Sequence, residues 1–264
     1  MSGAARPFLF GTNTKMHQTP AETVAFLDAL GPAPVASGPD GGGAAVQTFV
    51  IPPFTSLADA ARAPRRAGRW LGAQTCHWAD SGAYTGEVSP ATLAAMGLDL
   101  VLVGHAERRA QAGETDAVVR AKVEGALRNG LRVLLCVGDS REEHESGAGA
   151  EACARQLLLA LSGLPVEQLE RVLVAYEPVW SIGEGGTPAT PDQLARPLSL
   201  LRACTRTVTR RDDGLPILYG GSVNAANVAE LATTPEVDGL FVGRAAWTAE
   251  GFRGLLAAAV AARG

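Results

Sequence analysis

The sequence predicts a closed (β/α)8 barrel. Three observations point there. Short apolar, β-rich runs alternate with helical patterns along the whole chain, the signature of parallel βαβ units. Eight such runs can be read, the number that closes a barrel. The chain has 264 residues, 47% of them apolar, which supplies one large core of barrel size. A doubly wound open sheet is the alternative. It lacks support because no Gly-x-Gly-x-x-Gly follows the first run.

In chain order, the first strand is Phe8–Gly11 and a helix follows over Ala21–Leu30. The Gly-, Pro- and Ala-rich stretch 31–45 reads as a flexible connection, not a domain linker. Strands two to four are Val46–Ile51, Trp70–Ala73 and Leu100–Val103. Thr115 has the position of an N-cap for a helix over Asp116–Arg128, and Asn129-Gly130 ends it. Strands five and six are Val133–Val137 and Val172–Tyr176. Thr190 caps a helix over Pro191–Arg210, and strands seven and eight are Ile217–Tyr219 and Gly239–Val242. The apolar tail Leu255–Ala262 is too short to span a bilayer and reads as a closing helix. Residues 1–264 are therefore expected to form one barrel domain.

Composition excludes several function classes. Net charge is −4 with no long run of either sign, which argues against polyanion or nucleic-acid binding. The Arg pairs 65/66 and 210/211 read as solvated helix faces. Four cysteines (Cys76, Cys136, Cys153, Cys204) form no Cys-x-x-Cys, and the start Met-Ser-Gly-Ala-Ala-Arg-Pro precedes no long apolar core. Free thiols in the cytoplasm are expected. His77 and His144 lack metal-ligand spacing and read as surface residues, and no metal is expected. His17 has the position of a mouth or surface residue.

In a barrel of this kind, functional groups stand just past the C-terminal strand ends. Asn13 and Lys15 follow strand one, His105 and Glu107 strand four, and Glu177 strand six. Gly220-Gly221-Ser222 follows strand seven and Gly243-Arg244 strand eight, in turns suited to present backbone N–H groups to a phosphate. A carboxylate at the end of the apolar run Val172–Tyr176 costs stability unless its burial serves something. Here it precedes a stiff Pro178-Val179-Trp180 and a glycine-rich loop, the layout of a general base beside a lid over 178–188. Lysine, asparagine, histidine and glutamate at one mouth suit proton transfer next to a carbonyl.

These motifs, together with Gly11–Met16, Ala73–Cys76, Gly82–Pro90, Val103–Arg109, Cys136–Gly138, Ala175–Gly183, Tyr219–Val223 and Val237–Gly239, resemble the triosephosphate isomerase family nearly end to end. The resemblance implies a TIM barrel without cofactor or metal. It implies interconversion of glyceraldehyde 3-phosphate and dihydroxyacetone phosphate in glycolysis and gluconeogenesis. Glu177 would be the base, neutral His105 the electrophile and proton shuttle, Lys15 the positive charge, Asn13 an orienting group and Glu107 the partner of Lys15. Gly183, Ser222, Gly243 and Arg244 would offer N–H groups to the phosphate, and Ile182 and Phe241 would clamp the base. Cys136 falls near the base and reads as packing, with no activating partner evident. The segment Cys76–Pro90 resembles an interdigitating loop, which implies a homodimer with Thr85 buttressing the partner's site. A Schiff-base lyase is a competing barrel chemistry, but it needs a lysine at a central strand end, where Glu177 stands instead.

Several positions depart from the family pattern. Thr14 stands for Trp, Ala106 for Ser, Arg244 for Gly and Pro188 for Ala, and Glu184 and Gly186 alter the lid tip. Pro188 has no N–H for the tyrosine, here Tyr219, that latches the lid in the family. Changes around the ligand that spare base, electrophile and lysine are what a change of substrate would produce. The alternative implied is an isomerase of four-carbon ketose phosphates, the erythrulose phosphates, with the same chemistry.

Overall fold

The structure is a computed structural model that describes residues 6–31, 45–63, 68–182 and 186–264. Most of the predicted flexible connection and the pair Arg65/Arg66 lie outside them. Among the described residues, eight parallel strands close in sequence order: β1 (Phe8–Asn13), β2 (Val46–Ile51), β3 (Trp70–Ala73), β4 (Leu100–Val103), β5 (Arg132–Val137), β6 (Val172–Tyr176), β7 (Ile217–Tyr219) and β8 (Gly239–Val242). The ring closes where β8 pairs with β1, Leu9 against Gly239 and Thr12 against Val242. The fold is the TIM barrel that the alternation of strands and helices predicts.

The helices are α1 (Pro20–Leu30), α2 (Leu57–Arg62), α3 (Pro90–Ala95), α4 (Ala106–Ala112), α5 (Asp116–Arg128), α6 (Arg141–Glu145), α7 (Gly149–Leu161), α8 (Val166–Leu169), α9 (Pro191–Thr209), α10 (Val228–Thr233) and α11 (Ala249–Arg263). Local chemistry sets their ends. The Thr115 side chain accepts the Val118 N–H at the start of α5, and Gly130 follows its C-cap in the left-handed region (φ 77°). At α9 the Gln193 side chain accepts the Thr190 N–H at 3.0 Å. That helix stops one residue before the predicted end, because Arg210 itself turns left-handed (φ 55°). β1 runs two residues beyond the predicted end: Thr12 and Asn13 stay in register with Val50 and Ile51.

The core has two layers. Leu9, Phe49, Leu100, Leu102, Leu134, Leu173 and Leu218 fill the barrel interior with Phe241, whose ring stacks on Phe49 at 5.8 Å. The opposite faces of the same strands, such as Val101, Val103, Val172 and Val174, pack under the helices. This in/out alternation within nearly all-apolar strands is what burial on both faces requires. All four cysteines are buried and unpaired, and burial pushes the Cys76 thiol up to about 12. Among the described residues, no helix is long and apolar enough to cross a membrane, and no three His, Cys, Asp or Glu side chains are arranged to hold a metal ion.

Candidate active site

Strand parity decides which side chains reach the mouth. Alternate residues of a barrel strand face the interior. In β6 these are Leu173 and Ala175, so the next residue in phase is Glu177. The same count from Leu9 in β1 reaches Asn13, from Leu218 in β7 reaches Gly220, and from Phe241 in β8 reaches Gly243. His105 is out of phase with Leu100 and Leu102. Gly104, in the left-handed region at φ 77°, turns the chain and brings the imidazole in. Gly138 follows β5 and lies against the Glu177 backbone: a Cβ there would lie 2.0 Å from the Glu177 carbonyl oxygen.

Of the predicted site residues, Asn13, Lys15, His105, Glu177, Ser222, Gly243 and Arg244 line one cavity of about 370 Å³. Gly183 falls outside the described residues. Glu107 stands behind the lining, with Oε1 2.6 Å from Lys15 Nζ. Thr85 is not in this cavity and occupies the exposed tip of the loop after β3. Ile182 and Phe241, the predicted apolar clamp, are both in the lining.

The predicted acid–base groups are close and buried. Glu177 and His105 are 2% and 5% exposed, and Glu177 Oε1 lies 3.5 Å from His105 Nε2. His105 is the N-cap of α4, and its Nδ1 accepts the Glu107 N–H at 3.2 Å. An accepting Nδ1 carries no proton, so the neutral ring bears its hydrogen on Nε2, facing the carboxylate and the cavity. The Glu177 carboxylate also receives the Ala106 N–H at 3.5 Å. Burial, and then the neighbouring Glu177 carboxylate, push the Cys136 thiol well above its ordinary range. That thiol is packing beside the base and no nucleophile.

The lid root is anchored by a buried carboxylate. Asp139 accepts from the Tyr176 hydroxyl and from Trp180 Nε1, each at 3.0 Å. Ser181 lies next to Trp180, and its hydroxyl accepts the Ser222 N–H at 3.3 Å. A predicted phosphate donor is thus held here by a lid residue. The turn after β7 also runs through Asn224–Asn227 before α10 begins. Pro188 removes the expected partner of Tyr219, whose hydroxyl lies 3.4 Å from Ser181 Oγ. Burial holds the Tyr219 phenol above its ordinary value, against a smaller opposing contribution from the Ser181 hydroxyl.

Two histidines depart from expectation. His77 is buried, not on the surface: its ring packs between Trp78 (3.9 Å) and Tyr84 (4.0 Å), and its Nδ1 accepts the Ala79 N–H at 3.0 Å. His144 is half-buried, stacked on Trp180 at 4.0 Å. His17 is exposed and lies on Trp247. The sequence reading missed Ser181, Asn224 and Trp247 as cavity residues. Asn224, two residues past the Gly-Gly-Ser turn, was within reach of the strand-end rule. Trp247 carries no such signal.

Comparison with known proteins adds the following. Residues 8–259 match the triosephosphate isomerase family. An L-erythrulose-1-phosphate isomerase of Brucella abortus biovar 1 (strain 9-941) is 44% identical over 252 residues, covering 95% of each chain. A protein of the same name from Rhizobium rhizogenes is 43% identical over 256 residues, 96% of this chain and 95% of the relative. A triosephosphate isomerase of Synechococcus sp. is 43% identical over 240 residues, 91% of this chain and 92% of the relative.

Proposed function

Since the chain belongs to the triosephosphate isomerase family, and is a sugar-phosphate isomerase of that family, we propose that its substrate is an erythrulose phosphate in preference to the triose phosphate pair. The observation that carries this is a contrast inside one cavity. Lys15, His105 and Glu177 line this cavity together, as enediolate chemistry would require, whereas the turn after β8 in the same lining carries Arg244. The relatives named L-erythrulose-1-phosphate isomerase supply the substrate class. A role in glycolysis would follow only from the triose reading.

The reaction follows from the geometry. L-erythrulose 1-phosphate carries a ketone at C2 and a hydroxyl at C3. Glu177 takes the C3 proton, and the electron pair forms an enediolate across C2 and C3. His105 moves a proton from O3 to O2 through Nε2, as a neutral imidazole can. Glu177 returns its proton to C2, which leaves the ketone at C3 and no net change in atoms. The neutral imidazole paired with a glutamate base is the known arrangement of triosephosphate isomerase itself and is carried over with the family. Lys15 offsets the enediolate charge, Asn13 orients its oxygen, and the amides of Gly183, Ser222, Gly243 and Arg244 hold the phosphate. The segment Pro178–Pro188 closes over the site and keeps water from the intermediate. A homodimer places the loop with Thr85 against the partner, a role that suits the exposed Trp78, Tyr84 and Met16.

The test is a side-by-side assay. The protein is expected to show a kcat/KM for L-erythrulose 1-phosphate at least about tenfold above that for dihydroxyacetone phosphate, about 1.4 kcal/mol of transition-state preference. The reverse order would return the enzyme to the triose reading. Glu177→Asp should slow whichever reaction is used by about 10²-fold or more.

A further inference from the structure

The loop after β1 holds Lys15 on a backbone bent against its preference. Lys15 (φ 51°) and Gln18 (φ 80°) both occupy the left-handed region without being glycine. Residues with side chains stay there only where the surroundings hold them. Some of the holders are local: the Lys15 N–H donates to Asn13 Oδ1 at 2.8 Å, and Gln74 Nε2 donates to the Lys15 carbonyl at 2.7 Å. The other holder comes from the far side of the barrel seam. Trp247, after β8, donates its Nε1–H to the Asn13 carbonyl at 2.8 Å. Gln18 Nε2 donates back to the Trp247 carbonyl at 3.1 Å, and the His17 ring lies on the indole with centroids 4.2 Å apart. The half-buried indole also forms part of the cavity wall. One side chain therefore clasps the loop that carries Lys15 to the loop that carries Arg244.

We infer that Trp247 is a positioning residue for Lys15. Its N–H fixes the Asn13 carbonyl, and through that peptide it sets where the ammonium stands over the cavity. The indole itself need not touch the reacting atoms. Without its donor the Asn13–Lys15 turn is free to relax toward an ordinary backbone conformation, and the ammonium moves with it. This rests on the reading that Lys15 meets the ligand's anion, and the test separates the two.

2-Phosphoglycolate, a small anion that needs no turnover, is titrated calorimetrically into the unchanged protein, Lys15→Met, Trp247→Phe and the double variant. Phenylalanine keeps a ring against His17 and removes the donor together with part of the indole's bulk. Trp247→Phe is expected to weaken binding about fivefold, the size of one hydrogen bond. In the Lys15→Met background the same change should cost less than about twofold, because its effect travels through the lysine. Binding by Trp247→Phe equal to that of the unchanged protein, or losses that multiply in the double variant, would overturn the inference. A Lys15→Met protein that binds as well as the unchanged one would overturn the reading of Lys15 itself. Should Trp247→Phe fail to fold, Gln18→Ala removes the reciprocal half of the clasp. It should weaken binding about twofold or more, again only while Lys15 is present.

Discussion

Two lysine–glutamate pairs in this barrel have the same length and opposite surroundings. Lys15 Nζ and Lys122 Nζ each lie 2.6 Å from a glutamate Oε1, of Glu107 and Glu114 respectively. The second pair is buried, with both side chains 3% exposed, and is completed by the Thr75 hydroxyl on Lys122 (3.0 Å) and by Arg108 Nε on Glu114 (2.8 Å). The first stands at the cavity wall with side-chain exposures of 27% and 48%. A buried, doubly hydrogen-bonded pair is costly to break because either survivor is left charged in a poor solvent. A solvated pair contributes little to stability and can release its lysine to another anion. Distance does not separate a structural pair from a working one; solvent does.

The sharpest way to break this comparison is Lys122→Met. It should destabilise the fold by about 3–5 kcal/mol in urea titration while leaving kcat/KM per folded molecule unchanged. A loss below about 1 kcal/mol would mean that the two pairs are energetically alike. Lys15→Met should do the converse. We expect kcat/KM to fall about 10²–10³-fold, with unfolding free energy within about 1 kcal/mol of the unchanged protein. The smallest effect is a matter of pH. Burial pushes the Glu114 carboxyl up, but its hydrogen bonds to Lys122 and Arg108 outweigh that and hold it below its ordinary value of 4.5. A folded value below the unfolded one stabilises the protein above pH 4.5, and that stabilisation is lost as the pH falls through the folded value. Glu114→Gln should therefore be less stable at pH 7, by about 1–3 kcal/mol. The gap to the unchanged protein should narrow progressively as the pH falls below 4.5, read from thermal midpoints. A gap constant across the range would remove the carboxylate from the account.

The pair at the cavity was legible in the sequence, and the buried pair was not. Lys15 and Glu107 stand past strand ends, where barrel architecture concentrates function, and a family pattern surrounds each. Lys122 lies in the middle of an amphipathic helix among charged neighbours, and nothing in the local order says that this lysine points inward. The strands could be read because each is an apolar run buried on both faces. Their last residues could not: Thr12 and Asn13 are polar, and they stay in β1 through backbone pairing with Val50 and Ile51. His77 escaped for a related reason. Its burial is built from aromatic neighbours within its own loop, Trp78 and Tyr84, a packing that no periodicity announces. Trp247 needs the closed ring to be seen at all, since its partner Asn13 is 234 positions away and becomes a neighbour only where β8 meets β1.

Cys76, Cys136 and Cys153, with no exposed surface and no cross-link, make the molecule its own timer. A thiol reagent in excess cannot label them through surface chemistry. The pace of labelling should then follow how often the barrel opens, and in urea it should track the unfolding rate.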